Sequence, residues 1–176
     1  MRFLHLLSVT LVALLLLSGC NEKEPTVNSI PVEVADVSNI HHPSAQHFTS
    51  GQPTQTQLQA FNELGVTKVI NLRSHEEMAS IDESTWAANL GMSYHHIPVA
   101  GGGDLTREKV AEFHRVMSAN EGEKTLLHCA SSNRVGALTA LRAAWFQGAS
   151  KEEALAKGRE YGLRSLEPMV EKLLSE

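Results

Sequence analysis

Positive charge is in short supply. Fifteen Lys and Arg stand against twenty Asp and Glu, a formal net charge of −5 over 176 residues. That balance argues against a broad nucleic-acid surface. An anion site in this chain must be local, a few residues set against an acidic background. Cysteine is nearly missing too, with two in the whole chain. Low-complexity blocks and internal repeats are absent, which leaves no solenoid or array to consider. The nine histidines do not make up for the missing cysteines. His41-His42-His47 and His95-His96 lack zinc-like spacing with a thiol, and adjacent strand residues point to opposite faces. No metal or other cofactor is expected.

What is present begins with an apolar leader. Met1-Arg2 is a short positive start, and Leu4 to Leu17 is apolar apart from His5, Ser8 and Thr10. The run is short for a spanning helix and fits a secretory core segment. It ends in Leu17-Ser18-Gly19-Cys20, which resembles a bacterial lipobox. The resemblance implies a lipid on Cys20, which would become the first residue of the mature chain and anchor it to a membrane. A plain signal peptide with a chance cysteine is the alternative. Asn21 at the next position implies sorting to the outer membrane of a Gram-negative cell, on its periplasmic face. The expected division is signal peptide 1–19, lipidated N-terminus and tether 20–45, and folded domain 46–176. With Cys20 lipidated, Cys129 has no disulfide partner in the chain, and a lone thiol in an exported protein is a candidate reactive group.

Helix and strand signals alternate along the remainder. Gln46 to Thr49 reads as a first strand, and Ser50-Gly51-Gln52-Pro53 as a turn. Thr54-x-x-Gln57 is a capping box ahead of Leu58, Phe61 and Leu64, and Gly65 closes that helix. Val66 to Leu72 is a β-branched run read as a buried strand. Ser80-x-x-Glu83 predicts the cap of a short helix carrying Trp86. Met92 to Pro98 reads as a strand, and Thr106 opens a helix with Val110, Phe113 and Met117 on one face. Lys124 to His128 is a short strand, Val135 to Gln147 an alanine-rich helix. Ser150-x-x-Glu153 caps the next helix, and a last one spans Leu166 to Ser175. This alternation predicts an α/β layered domain with a mostly parallel sheet.

One stretch carries chemistry: His128-Cys129-Ala130-Ser131-Ser132-Asn133-Arg134-Val135. It puts a cysteine at the carboxyl end of a strand, then a tight loop, then an arginine at a helix start. Backbone N–H groups in such a loop form an anion nest, and the helix start adds partial positive charge. Arg134 can hold two oxygens of a tetrahedral oxyanion bidentately. The same field favours the Cys129 thiolate, set for attack on a bound phosphoryl group. Small Ala130 and Ser131 let the backbone approach a ligand, and Ser132 and Asn133 can brace the loop. A buried core cysteine beside a surface arginine is the bland alternative.

His128-Cys129 followed by Arg134 resembles the signature loop of cysteine-dependent protein phosphatases. Gly51-Gln52-Pro53-Thr54, Val69-Ile70-Asn71-Leu72-Arg73, His96-Ile97-Pro98-Val99 and His128-Cys129-Ala130-Ser131, in that order, resemble the dual-specificity-phosphatase-like family. The nearest branch is the bacterial one associated with β-lactamase-like hydrolases. The resemblance implies a three-layer α/β/α fold and hydrolysis of a phosphomonoester through a cysteinyl-phosphate. Ala130 to Val135 would cradle the substrate, and Arg134 would clamp it. The family's general acid is an aspartate on a mobile loop. Asp104, beyond Gly101-Gly102-Gly103, fits that place, or else it simply favours the start of the helix at Thr106. Glu76, Glu77 and Asp82 are weaker alternatives. His128 is expected to orient the loop, and Arg73 either shapes the pocket or is solvated.

The pattern departs from most relatives in three places. Four residues, not five, separate Cys129 from Arg134, although the nearest branch is also one short. Ser132 stands where glycine is usual, so a positive φ there would be strained. Val135 replaces the usual Ser or Thr, whose hydroxyl helps the sulfur leave in the second step. A rhodanese-like sulfurtransferase, with a persulfide on Cys129, shares the loop length. A weakly active phospho-ligand-binding module is the third reading.

Overall fold

The computed structural model describes residues 30–119 and 121–176. The leader, Cys20 and the first part of the expected tether lie outside the described residues. The tether does not run to residue 45. Helix α1 (Val32–Ala35) and strand β1 (His41–Ser44) already belong to the fold, and Val34 and Val37 are buried among Phe48, Leu58 and Phe61. The folded part therefore includes α1 and β1, ahead of the expected boundary of 46.

The remaining elements follow in alternation: β2 (His47–Ser50), α2 (Gln55–Glu63), β3 (Lys68–Asn71), α3 (Glu83–Asn89), β4 (Ser93–His96), α4 (Arg107–Ser118), β5 (Thr125–His128), α5 (Asn133–Gln147), α6 (Lys151–Glu160) and α7 (Glu167–Leu173). A 3-10 turn, Gly102–Asp104, precedes α4. Local chemistry explains most boundaries. Thr54 Oγ1 accepts from Gln57 N while Gln57 Oε1 accepts from Thr54 N, closing the capping box of α2. Ser150 and Glu153 do the same for α6. The cap of α3 is a correction: Asp82, not Ser80, accepts from Thr85 N. Among the described residues no helix is long and apolar enough to cross a membrane.

The five strands lie in the order β1-β2-β5-β3-β4. Only the edge pair β1–β2 is antiparallel; β2–β5, β5–β3 and β3–β4 are parallel. Central β3 and β5 are buried throughout, and their alternate residues feed two cores. Val69 and Leu126 pack with Leu58, Phe61 and Ala87 on the face of α2 and α3. Ile70 and Leu127 pack with Val110, Phe113, Leu138 and Leu141 on the face of α4 and α5. This is the expected three-layer α/β/α arrangement.

The chain runs outward through α2 and α3 to β4, then reverses through α4 to insert β5 beside β3. Right-handed crossovers put helices on opposite faces after such a reversal. The carboxyl ends of strands at that switch point open a crevice between the layers, the usual ligand position in open α/β sheets. Ser50, Asn71 and His128 are in register there.

Candidate active site

Cys129 immediately follows β5, its backbone N–H donating to Ser50 O at 3.3 Å. Alternation along the strand turns His128 toward the α3 face and Cys129 toward the α5 face. The thiol is buried among Leu72, Val99 and Val135. The N–H of Ser131 points back at Cys129 Sγ, 3.5 Å away. Ser132 takes a left-handed conformation, φ 61, which costs a residue with a β-carbon about 1–2 kcal/mol. Its hydroxyl donates to Asn39 O at 2.8 Å and does not cap α5. In contrast, α2, α3, α4 and α6 are each capped by a side chain, from Thr54, Asp82, Thr106 and Ser150. The first donors of α5 are thus left for an anion. Asn133 braces the loop from outside, its Oδ1 accepting from Arg164 N at 2.8 Å and its Nδ2 donating to Ser165 Oγ at 2.7 Å.

Arg134, 9% exposed, lies in the first turn of α5. Its Nη1 donates to Glu77 Oε2 at 2.7 Å and to the carbonyls of Leu72 and Val99, and its Nη2 donates to Glu77 Oε1 at 2.8 Å. These contacts use Nη1 and one side of Nη2. The Nε–Nη2 edge is the one that remains to grip a tetrahedral oxyanion. Glu77 foremost, with Cys129 close by, raises the pKa of Arg134 against the effect of burial. Reciprocally, Arg134 lowers the Glu77 carboxyl to about 2. Glu77 is therefore ionised at neutral pH, with no proton to give a leaving group. Asp82, another acid considered, is occupied by Ser84 and Thr85 at the start of α3.

Asp104 is held one peptide away from Arg134. The Val99 carbonyl accepts from Arg134, and the N–H of the same peptide group, on Ala100, donates to Asp104 Oδ2 at 2.7 Å. The half-buried Asp104 carboxyl lines a cavity of about 310 Å³ with Ser74, His75, Glu76, Pro98 and Ala100.

Two supporting residues have definite partners. Arg73 donates from Nη1 to Gln52 Oε1 at 2.8 Å and pairs through Nε with Glu77 at 3.4 Å, so the half-buried side chain is not simply solvated. His128 Nε2 meets Glu83 Oε2 at 2.8 Å, both side chains fully buried. Sequence reasoning missed Glu77 as the partner of Arg134 and Glu83 as the partner of His128. Glu83 had a signal, but the spacing from Ser80 fitted a capping box and concealed it. Gln52 stood out only as part of a turn and of the Gly51-Gln52-Pro53-Thr54 motif, with no role of its own.

A thiol at the end of a central parallel strand, facing loop N–H groups and a guanidinium at an uncapped helix start, is the arrangement of a cysteine-dependent phosphatase. The chain belongs to the family described as DSP-PTPase phosphatase fused to NAD+ kinase, whose sequence model matches residues 25–172. It is thus a phosphatase, a hydrolase of the dual-specificity-like type. Solved structures share the fold. A candidate phosphatase from Shewanella putrefaciens CN-32 is 21% identical, with a TM-score of 0.62 over 82% of this chain and 95% of that one. A second candidate phosphatase, from Neisseria meningitidis Z2491, is 24% identical, with a TM-score of 0.61 over 77% and 96%. A kinase-associated phosphatase whose catalytic-site cysteine was replaced by serine is 15% identical, with a TM-score of 0.62 over 77% and 90%. No curated protein matches the sequence.

Proposed function

We propose that Cys129, Arg134 and Asp104 together hydrolyse a phosphomonoester in two displacements. In the first, the Cys129 thiolate attacks phosphorus, the S–P bond forms and the P–O bond to the leaving group breaks. Arg134, through its Nε–Nη2 edge, and the N–H groups of Ala130 to Val135 hold the non-bridging oxygens, while Asp104 gives its proton to the departing oxygen. In the second, Asp104 takes a proton from water, the water oxygen attacks phosphorus, and sulfur leaves as thiolate with release of phosphate. Val135 is a buried apolar residue with no hydroxyl to donate to that sulfur, so the second displacement is the slow one. The observation that carries this reading is the Ser131 N–H aimed at Cys129 Sγ beside Arg134, at a helix start with no side-chain cap.

The test compares release of phosphate from p-nitrophenyl phosphate with formation of thiocyanate from thiosulfate and cyanide. Cys129→Ser is expected to abolish phosphate release, and Arg134→Lys to lower it about 100-fold, since a point charge replaces a fork. Asp104→Asn should cost far more with an alkyl phosphate than with the activated aryl ester, because only the poor leaving group needs the proton. Thiocyanate formation without phosphate release would overturn the assignment in favour of sulfur transfer. We also propose that the protein is an exported lipoprotein anchored through Cys20, on the support of Leu17-Ser18-Gly19-Cys20. Membrane-fraction protein should then carry acyl chains on Cys20 by mass spectrometry, and Cys20→Ala should release it.

A further inference from the structure

Side chains from several elements converge on one buried carboxylate. Glu83, the first residue of α3, is 1% exposed. Its Oε1 accepts from Gln52 Nε2 at 2.9 Å. Its Oε2 accepts from Asn71 Nδ2 at 3.1 Å and Tyr94 Oη at 3.3 Å, and meets His128 Nε2 at 2.8 Å. Both amides are oriented by Arg73. Its backbone N–H donates to Asn71 Oδ1 and its Nη1 to Gln52 Oε1, each at 2.8 Å. Each amide therefore turns its NH₂ group toward Glu83. Burial above all, with Glu83 adding to it, raises the Tyr94 hydroxyl to about 12, so it keeps its proton and remains a donor. Donors from Gln52, Asn71 and Tyr94 surround the Glu83 carboxyl group, and His128 Nε2 lies against it from the end of β5.

These contacts join the two halves of the catalytic loop by a second route. From Cys129 the path runs to His128 and Glu83, then through Gln52 and Arg73 to Glu77, and from there to Arg134. Gln52 is its middle link, with one end of the amide on Arg73 and the other on Glu83. The covalent route between the same two groups is the loop Ala130 to Asn133, whose Ser132 is held in a left-handed conformation.

We propose that Glu83 is a positioning residue for the nucleophile. Through His128 it holds the end of β5, and through Gln52 it ties that end to the Arg134 guanidinium, keeping thiolate and guanidinium at one spacing. The proposal rests on the roles given above to Cys129 and Arg134. Glu83 itself touches neither substrate nor the reacting atoms. Catalysis needs attacking and departing atoms in line, and a shift of about 1 Å from a distant change can cost about 100-fold.

The test is steady-state hydrolysis of p-nitrophenyl phosphate by variants with wild-type circular dichroism. Glu83→Gln should lower kcat about 10- to 100-fold with KM changed by less than about threefold. Glu77→Gln should then cost less in the Glu83→Gln background than alone, because members of one network are not additive. Should Glu83→Gln fail to fold, Gln52→Met decides, since it removes the Arg73–Gln52–Glu83 link, with a local bond to Pro53 O, and leaves the Glu77–Arg134 and Glu83–His128 contacts in place. There kcat should fall at least about fivefold at nearly constant KM. A kcat within about twofold of wild type in a folded variant overturns the proposal, as does a fall confined to KM or strict additivity with Glu77→Gln. Cys129→Ser is run alongside. Hydrolysis surviving in that variant would remove the nucleophile assignment itself, whereas a dead Cys129→Ser with a fully active Gln52→Met removes only the role of Glu83.

Discussion

Ser132 and Gly162 share one small space at the back of the catalytic loop. Ser132 holds φ 61 with a β-carbon, and Gly162 holds φ 98 without one. A β-carbon at 162 would sit 2.4 Å from that of Ser132. Gly162→Ala should therefore lose on the order of 2–3 kcal/mol, from strain and overlap together. Ser132→Gly alone should stay within about 1 kcal/mol of wild type. Relief of the left-handed strain is offset by loss of the hydrogen bond to Asn39. Combined, the two changes should cost less than their sum, which urea midpoints would show; additive values would mean that the two positions do not compete for room. The glycine usual at position 132 in relatives raised the question of a positive φ there, and the structure gives φ 61. Its accommodation was not legible, because residues 132 and 162 meet only once α5 and the end of α6 are packed.

The α5–α6 crossing shows the same limit for whole elements. A β-carbon on Gly136 would lie 2.1 Å from Leu163 N and 2.6 Å from Gly158 O, and one on Gly158 would lie 2.9 Å from Gly136 O. The turn after α6 thus rests on the backbone of α5, directly behind Arg134 and Val135. Gly136→Ala must move backbone and should cost about 3 kcal/mol or more, or prevent folding. Gly103→Ala, with nothing within 4 Å, serves as the control and should leave the thermal midpoint unchanged. Helices α2 and α6 could be read in advance because each capping box needs only residues three apart. Helix α5 could be read from its composition, but not its burial on all sides from Arg134 to Leu141, which follows from its central place over the sheet. Strand β1 was not legible. His41-His42-Pro43-Ser44 has no apolar alternation, and Pro43 is tolerated because β1 is an edge strand paired on one side only.

At the scale of the whole molecule, acid should weaken the fold in two stages. Burial foremost, with Arg142, Lys157 and Lys68 adding to it, lowers His47 to about 4 from 6.5. Below pH 6.5 the unfolded chain takes up this proton and the folded one resists it, so stability present above 6.5 is lost as pH falls toward 4. Glu77, lowered to about 2 from 4.5, contributes stability that is complete above 4.5 and lost as pH falls toward 2. Each stage is on the order of 2 kcal/mol after allowance for partial exposure. Urea midpoints for wild type should be level from pH 8 to about 6.5 and fall from there to pH 3. His47→Gln should flatten the first stage and Glu77→Gln the second; parallel curves would count against both assignments. The sequence by itself determined the layered α/β class and singled out the cysteine, the loop and the arginine to which the proposed chemistry is assigned. Those are written in residues a few positions apart, where caps, periodicity and loop chemistry act. Only the tertiary structure decided that the arginine answers to Glu77 and the loop histidine to Glu83, and that α1 and β1 belong to the fold. Those pairings depend on β5 entering the sheet between β2 and β3, which gathers residues 52, 77, 83 and 134 at one end of the strands.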